Sequence, residues 1–269
     1  MDTTSSDIVL FSGFEKLKEE VKRLKTELSM LLLERDELEF VTCKNIEVAY
    51  YLKFGAIEYK AYEAQCTALR LKRKIELIQA QLNRQEKIEP LLIEQTLDTE
   101  FAEYKKILNE KIDKMNEAIE YSNLDVLTPQ ESKELKKLYR NIVKNLHPDI
   151  NPNATSEQLR LLENAITAYK NGNIATLRII NAMLLDSDIS ENTQDAMSAL
   201  TEEKARLESM LLNVRKSIAK IKSSYPYTVK DLVTDSEKEE QYKEKLESIL
   251  NRYEMLIKIY KAKLKEMLG

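Results

Sequence analysis

The chain has 269 residues, room for one large domain or two to three smaller units, with 33% charged residues but only four glycines, five prolines and no tryptophan. So few turn-formers argue against strand-and-turn architectures, and a chain rich in Leu, Ile, Lys and Glu reads as long helices and coiled coil. Forty-six acidic against forty-two basic residues leave a net charge of −4, which speaks against a whole-chain nucleic-acid binder but leaves room for a local basic patch.

Residues 1–13 show no heptad pattern and read as a flexible tail, and without a basic region or a full apolar signal core no export signal is expected. From Phe14 an apolar series runs through Leu17, Val21, Leu24, Leu28 and Leu31 in steps of three and four, a heptad seam. No apolar run, Met30-Leu31-Leu32-Leu33 included, approaches the roughly 20 residues that span a bilayer, so no membrane association is expected. A second seam follows Gly55: Ile57, Ala61, Ala64, Ala68, Leu71, Ile75, Ile78 and Leu82. Its alanines let a partner helix approach closely. Residues 14–88 therefore form either an antiparallel hairpin or one long helix. Gly55, the only breaker between the seams, favours the hairpin. Cys43 and Cys66 stand far apart in helical sequence and read as small core residues.

Glu89-Pro90 breaks the pattern. The segment 89–127 carries a connecting helix over about 98–121, with Phe101, Tyr104, Ile107, Leu108, Ile112, Met115 and Ile119 on one side. Thr128-Pro129-Gln130-Glu131 is a helix start, with Thr128 as cap, Pro129 at the first helical position and Glu131 closing a capping box. Leu135, Leu138, Tyr139, Ile142 and Leu146 then form an apolar stripe. Lys133, Lys137, Arg140 and Lys144 line another face, with Lys136 beside them. Pro148 stops the helix and holds His147 extended. Thr155 and Gln158 repeat the capping box, opening a helix with Leu159, Leu162, Ala165, Ile166, Ala168 and Tyr169 on its packing side. Asn171-Gly172-Asn173 is a stop, and a short helix runs from Ile174 to about Leu185. A polar linker, 187–193, precedes a third seam: Leu200, Leu207, Leu211, Val214, Ile218 and Ile221. After Ser223–Thr228 a final helix carries Leu246, Ile249, Tyr253, Leu256 and Tyr260. Residues 194–269 are expected to close on themselves as a helical hairpin.

The helix with a basic face, the His147-Pro148-Asp149 turn followed by Asn151-Pro152, and the Leu162…Ala168-Tyr169 helix together resemble the J-domain of DnaJ-like co-chaperones. The match covers about a fifth of the chain, within a module placed at 128–186. Leu135, Leu138, Tyr139 and Ile142 correspond to the apolar pattern of the family's second helix, and Lys136, Lys137 and Arg140 to its basic face. The family's Tyr-Tyr…Leu-Gly first helix has no counterpart before Thr128, so the helix ending near Tyr121 has to stand in. Asn141 and Asn145 replace commonly basic residues. The Gly/Phe-rich and Cys-x-x-Cys client-binding parts are absent.

The resemblance implies docking on a DnaK-type 70-kDa heat-shock chaperone and stimulation of its ATPase. His147, Pro148, Asp149, Lys133, Lys136, Lys137, Arg140 and Lys144 would form the contact, with His147 and Asp149 on a solvent-facing loop. A basic helix steers toward an acidic partner, and the Asp149 carboxylate can accept charge-assisted hydrogen bonds from a partner arginine. The single histidine gives no metal site and no nucleophile–base pair, and no glycine-rich phosphate loop occurs. No cofactor and no catalysis by this chain are expected. The expectation is an elongated, all-α, cytoplasmic protein with a central J-domain-like hairpin flanked by coiled-coil hairpins that bind clients, localise the chain or self-associate. The client is not named by any residue. The rival reading is a structural coiled-coil scaffold whose J-like module no longer engages the chaperone.

Overall fold

The computed structural model describes residues 4–123, 127–184 and 196–268, and every regular element among them is helical. Residues 1–3 of the expected tail, 124–126 of the expected connection, Leu185 and the whole 187–193 linker lie outside the described residues. Helical backbone runs without a break from Thr4 to Asn83. Helix α1 (Thr4–Glu37) passes through a π-helical turn, Leu38–Thr42, into α2 (Cys43–Tyr50), and a second π turn, Tyr51–Gly55, leads into α3 (Ala56–Asn83). Helix α4 (Pro90–Glu100) and α5 (Ala102–Ser122) follow, then α6 (Pro129–Leu146), α7 (Ser156–Lys170) and α8 (Ile174–Leu184). After these come α9 (Ala196–Lys222), α10 (Lys230–Thr234) and α11 (Ser236–Leu268). Most of the expected loose tail is thus the start of α1; its Thr4-Ser5-Ser6-Asp7 stretch consists of residues favoured at helix N-termini.

The contacts divide the chain into two compact units, each assembled from separate stretches: residues 1–44 with 125–227, and residues 45–124 with 228–269. In the first, α1 and α9 lie side by side and parallel. Glu20 meets Lys204 at 2.7 Å, Glu27 meets Arg215, and Glu34 meets Lys222 at 2.9 Å. Their seams, Val21, Leu24, Leu28 and Leu32 against Leu207, Leu211, Val214 and Ile218, join the core formed by α6, α7 and α8. Leu32 rather than Leu31 is the fully buried member.

In the second unit α4 and α5 run back along α3 as an antiparallel arm. Arg70 meets Glu94 at 2.7 Å, Arg73 meets Glu100 at 2.9 Å, and the Tyr62 and Tyr104 rings stack at 6.2 Å. Helix α11 lies parallel to α3. Tyr242 donates to Glu58 near one end, and Leu264 packs with Ile75 and Ile78 near the other. The connecting segment is two helices rather than one, bent at Phe101. Its Ile112 and Ile119 are exposed, while Ala118 is buried.

Both hairpin expectations therefore change. Of the two alternatives for residues 14–88, continuous helix through Gly55 is the one found, and the two long helices of residues 196–268 each pair within their own unit. The seam of α9 is taken by α1 and that of α11 by α3. A heptad seam fits any other heptad seam, so flanking charges and topology choose the partner.

Gly55 lies in helical geometry (φ −53°, ψ −45°) and serves close approach instead of a turn. A Cβ there would fall 2.7 Å from Met115 Cγ and 3.0 Å from its Sδ. Gly55→Ala should therefore lower stability in the native background, because overpacking costs about 1–3 kcal/mol. The same change should raise stability in a Met115→Ala background, where only the helix-propensity gain of about 1 kcal/mol remains. Urea melts of the four-member cycle check the change of sign.

Candidate functional site

Helix α6 is fixed at its start by the capping box: Thr128 Oγ1 accepts from the Glu131 N–H at 3.2 Å, and Glu131 accepts from the Thr128 N–H at 2.8 Å. That register buries Leu135, Tyr139, Ile142, Val143 and Leu146 and leaves Leu138 half-buried. The opposite side carries Lys133, Lys137, Arg140 and Lys144, all exposed and without an ion pair among the described residues. Lys136 differs from them. It points toward α1 and pairs with Glu37, so it does not belong to the open basic face. Asn141 and Asn145, between the cations, hydrogen-bond to Asn181 and to the Asn141 carbonyl.

Under the helix lies a polar group inside an apolar core. Tyr139 is fully buried and stacks on Tyr169 with ring centroids 4.1 Å apart. Its hydroxyl donates to Asp36 Oδ2 at 2.7 Å, and Arg35 donates to Asp36 Oδ1 through Nε and Nη2 at 2.8 and 2.6 Å. Burial followed by the Asp36 charge pushes the Tyr139 hydroxyl far up, so it stays a donor. Asp36 is 1% exposed and lies four residues beyond Leu32 on the α1 seam. A carboxylate at a seam position is the sequence signal for this group. Within this unit it is helix α1 that braces α6.

The helix ends as Pro148 dictates. His147 is extended (φ −66°, ψ 127°) and its N–H still donates to the Val143 carbonyl at 3.0 Å. The His147 carbonyl accepts from the Ile150 and Asn151 N–H groups at 3.0 and 2.8 Å, and Asn151 Nδ2 donates to the Lys144 carbonyl at 3.0 Å. Ile150 is buried in the core. The Asp149 N–H donates to His147 Nδ1 at 3.2 Å, which requires that nitrogen to be unprotonated. Only 13% of the His147 side chain is exposed, against 35% for Asp149, while Pro148 is open. The loop as a whole reaches solvent, but His147 does not face it: its ring is consumed in shaping the turn.

Helix α9 supplies residues for which the sequence offered no signal. Arg206 Nη1 donates to the Asp149 carbonyl at 2.8 Å, while its Nε and Nη2 grip Glu203 at 2.7 and 2.9 Å. Glu203 also holds Lys25 at 3.2 Å.

Burial lowers the His147 pKa below its ordinary 6.5, opposed by Asp149 and Asp36 and assisted by Arg35. In the window just below pH 6.5 the unfolded chain then binds more protons than the native one, so stability falls as pH falls. With one histidine in the chain, the loss between pH 7.5 and 5.5 should be smaller in His147→Gln, whatever that variant's absolute stability. Urea melts at the two pH values measure it.

Among the described residues no group of three or more His, Cys, Asp or Glu side chains is placed to hold a metal, and no helix is long and apolar enough to cross a membrane. No protein-family model, curated protein or solved structure matches this chain. The arrangement places a partly exposed carboxylate and an exposed proline at the end of a braced helix that carries a row of four exposed cations.

Proposed function

We propose that the α6–loop–α7 hairpin works as a J-domain, docking on a DnaK-type 70-kDa heat-shock chaperone and stimulating its ATPase. The observation that carries this reading is a juxtaposition. A partly exposed Asp149 sits at the end of the one helix whose solvent face holds Lys133, Lys137, Arg140 and Lys144 free of ion pairs among the described residues. Uncompensated cations on one face steer an acidic partner surface into register. The carboxylate then accepts charge-assisted hydrogen bonds from a partner arginine. The hydrolysis belongs to the chaperone, and this chain needs no cofactor for its part. The remaining helices serve client binding, localisation or self-association, in the cytoplasm.

The scaffold reading has its own support. His147 is turned inward and Lys136 is neutralised by Glu37. An immobilised chain offered a purified DnaK-type chaperone separates the two. Capture that depends on ATP and weakens as salt rises supports the co-chaperone. No capture in any nucleotide state supports the scaffold.

A further inference from the structure

We propose that Arg206 is a positioning residue for the His147–Asp149 loop, aiming the Asp149 carboxylate outward by holding that residue's carbonyl from α9. This rests on the co-chaperone reading of the loop. Asp149 has two backbone polar groups, and both are spoken for: its N–H by His147 Nδ1 at 3.2 Å, its carbonyl by Arg206 Nη1 at 2.8 Å. On one side Pro148 restricts the backbone through its ring. On the other, Ile150 is 2% exposed in the core. With both peptide planes fixed, the Cα–Cβ direction of Asp149 is fixed too, and only the carboxylate is left for a partner.

Arg206 is itself held. Glu203 takes two of its nitrogens, Met210 Sδ lies 3.2 Å from Nη1, and Glu203 is anchored to α1 through Lys25. The planar guanidinium can serve a carboxylate with one edge and a carbonyl with the remaining nitrogen, which lysine's single ammonium does less well. The functional module consequently extends beyond residues 128–186, because α9 carries part of the loop's geometry.

The test uses the full chain with Arg206→Met, Arg206→Lys and Glu203→Gln, each read in two ways. One is single-turnover ATP hydrolysis by a DnaK-type chaperone. The other is an NMR pH titration of the only histidine, which is faced by Asp149 on its own loop and by Arg35 and Asp36 on α1, while Arg206 on α9 reaches the loop through the Asp149 carbonyl. Arg206→Met should lower stimulation about tenfold, the size of one charge-assisted hydrogen bond. It should also move the His147 resonance toward that of a solvated imidazole, with its midpoint rising toward 6.5. Arg206→Lys, which keeps the charge but not the fork that grips Glu203, should recover only part of both.

Wild-type stimulation and a wild-type titration in Arg206→Met would overturn the proposal. Should that variant not fold, Glu203→Gln loosens the brace while keeping the guanidinium: a partial shift in both readouts supports the proposal and no shift overturns it. If the unsubstituted chain stimulates no chaperone, the co-chaperone reading falls by itself, and the titration still decides whether Arg206 sets the loop.

Discussion

Asp149→Asn should abolish nearly all ATPase stimulation while leaving the fold intact. The side chain is 35% exposed and its nearest ionisable neighbour, His147 Nδ1, is 3.9 Å away. Neither the buried stripe of α6 nor the contacts of the Asp149 backbone depend on the charge, so the cost in stability should stay within about 1 kcal/mol. At the proposed interface the balance is different. An asparagine leaves a partner arginine desolvated without its counter-charge, which costs about 2–5 kcal/mol. That is a loss of thirtyfold or more in affinity. Thermal melts alongside association measurements separate the two effects. His147→Gln is the less clean variant, because it also removes the ring nitrogen that accepts the Asp149 N–H.

Reversing Lys137, Arg140 and Lys144 to Glu should remove most capture of the chaperone. All three are exposed and without an ion pair among the described residues, so the folded state loses little beyond the Lys144 contribution at the helix C-terminus, about 0.3–1 kcal/mol. The association rate should fall by about 10- to 1,000-fold, since steering by uncompensated charge is removed and replaced by repulsion. The residual binding should no longer weaken with salt, whereas wild-type binding should, exposed charges being screened over about 8 Å at physiological ionic strength. Lys136→Glu is the control. It opposes Glu37 and so strains the fold, yet it leaves the open face untouched and should affect capture far less. A triple variant that binds as well as wild type would remove the basic face from the interface.

The parts of this architecture that could be read from sequence are those set by neighbours along the chain. Thr128 with Glu131 and Thr155 with Gln158 form the two capping boxes where the residue types demand them. The α6 stripe is buried as its spacing requires, and the helix stops at His147 because Pro148 follows. Pairing between distant seams was not readable. Leu207, Leu211, Val214 and Ile218 would suit any apolar helix face, and their choice of α1 is written in Glu20, Glu27 and Glu34 opposite Lys204, Arg215 and Lys222. Such charges look like ordinary solvated positions until the partner is known.

The same holds at the candidate site. Lys136 belongs to the basic helix in sequence but meets Glu37, a residue 99 positions away. Arg206 reaches the loop from 57 positions away. Asp36 did leave a trace, a carboxylate on the line of Leu28 and Leu32, but its meaning required Tyr139 to be placed against it. Gly55 misled for a related reason. Its missing side chain makes room for Met115 rather than for a turn.

The measurement that bears most directly on the central claim is single-turnover hydrolysis of ATP by a DnaK-type chaperone, with the unsubstituted chain added at increasing concentration. The proposed mechanism predicts a saturable acceleration that disappears when Asp149→Asn protein of equal thermal stability is substituted. A hydrolysis rate unchanged by the unsubstituted chain, or accelerated equally by Asp149→Asn, would contradict it.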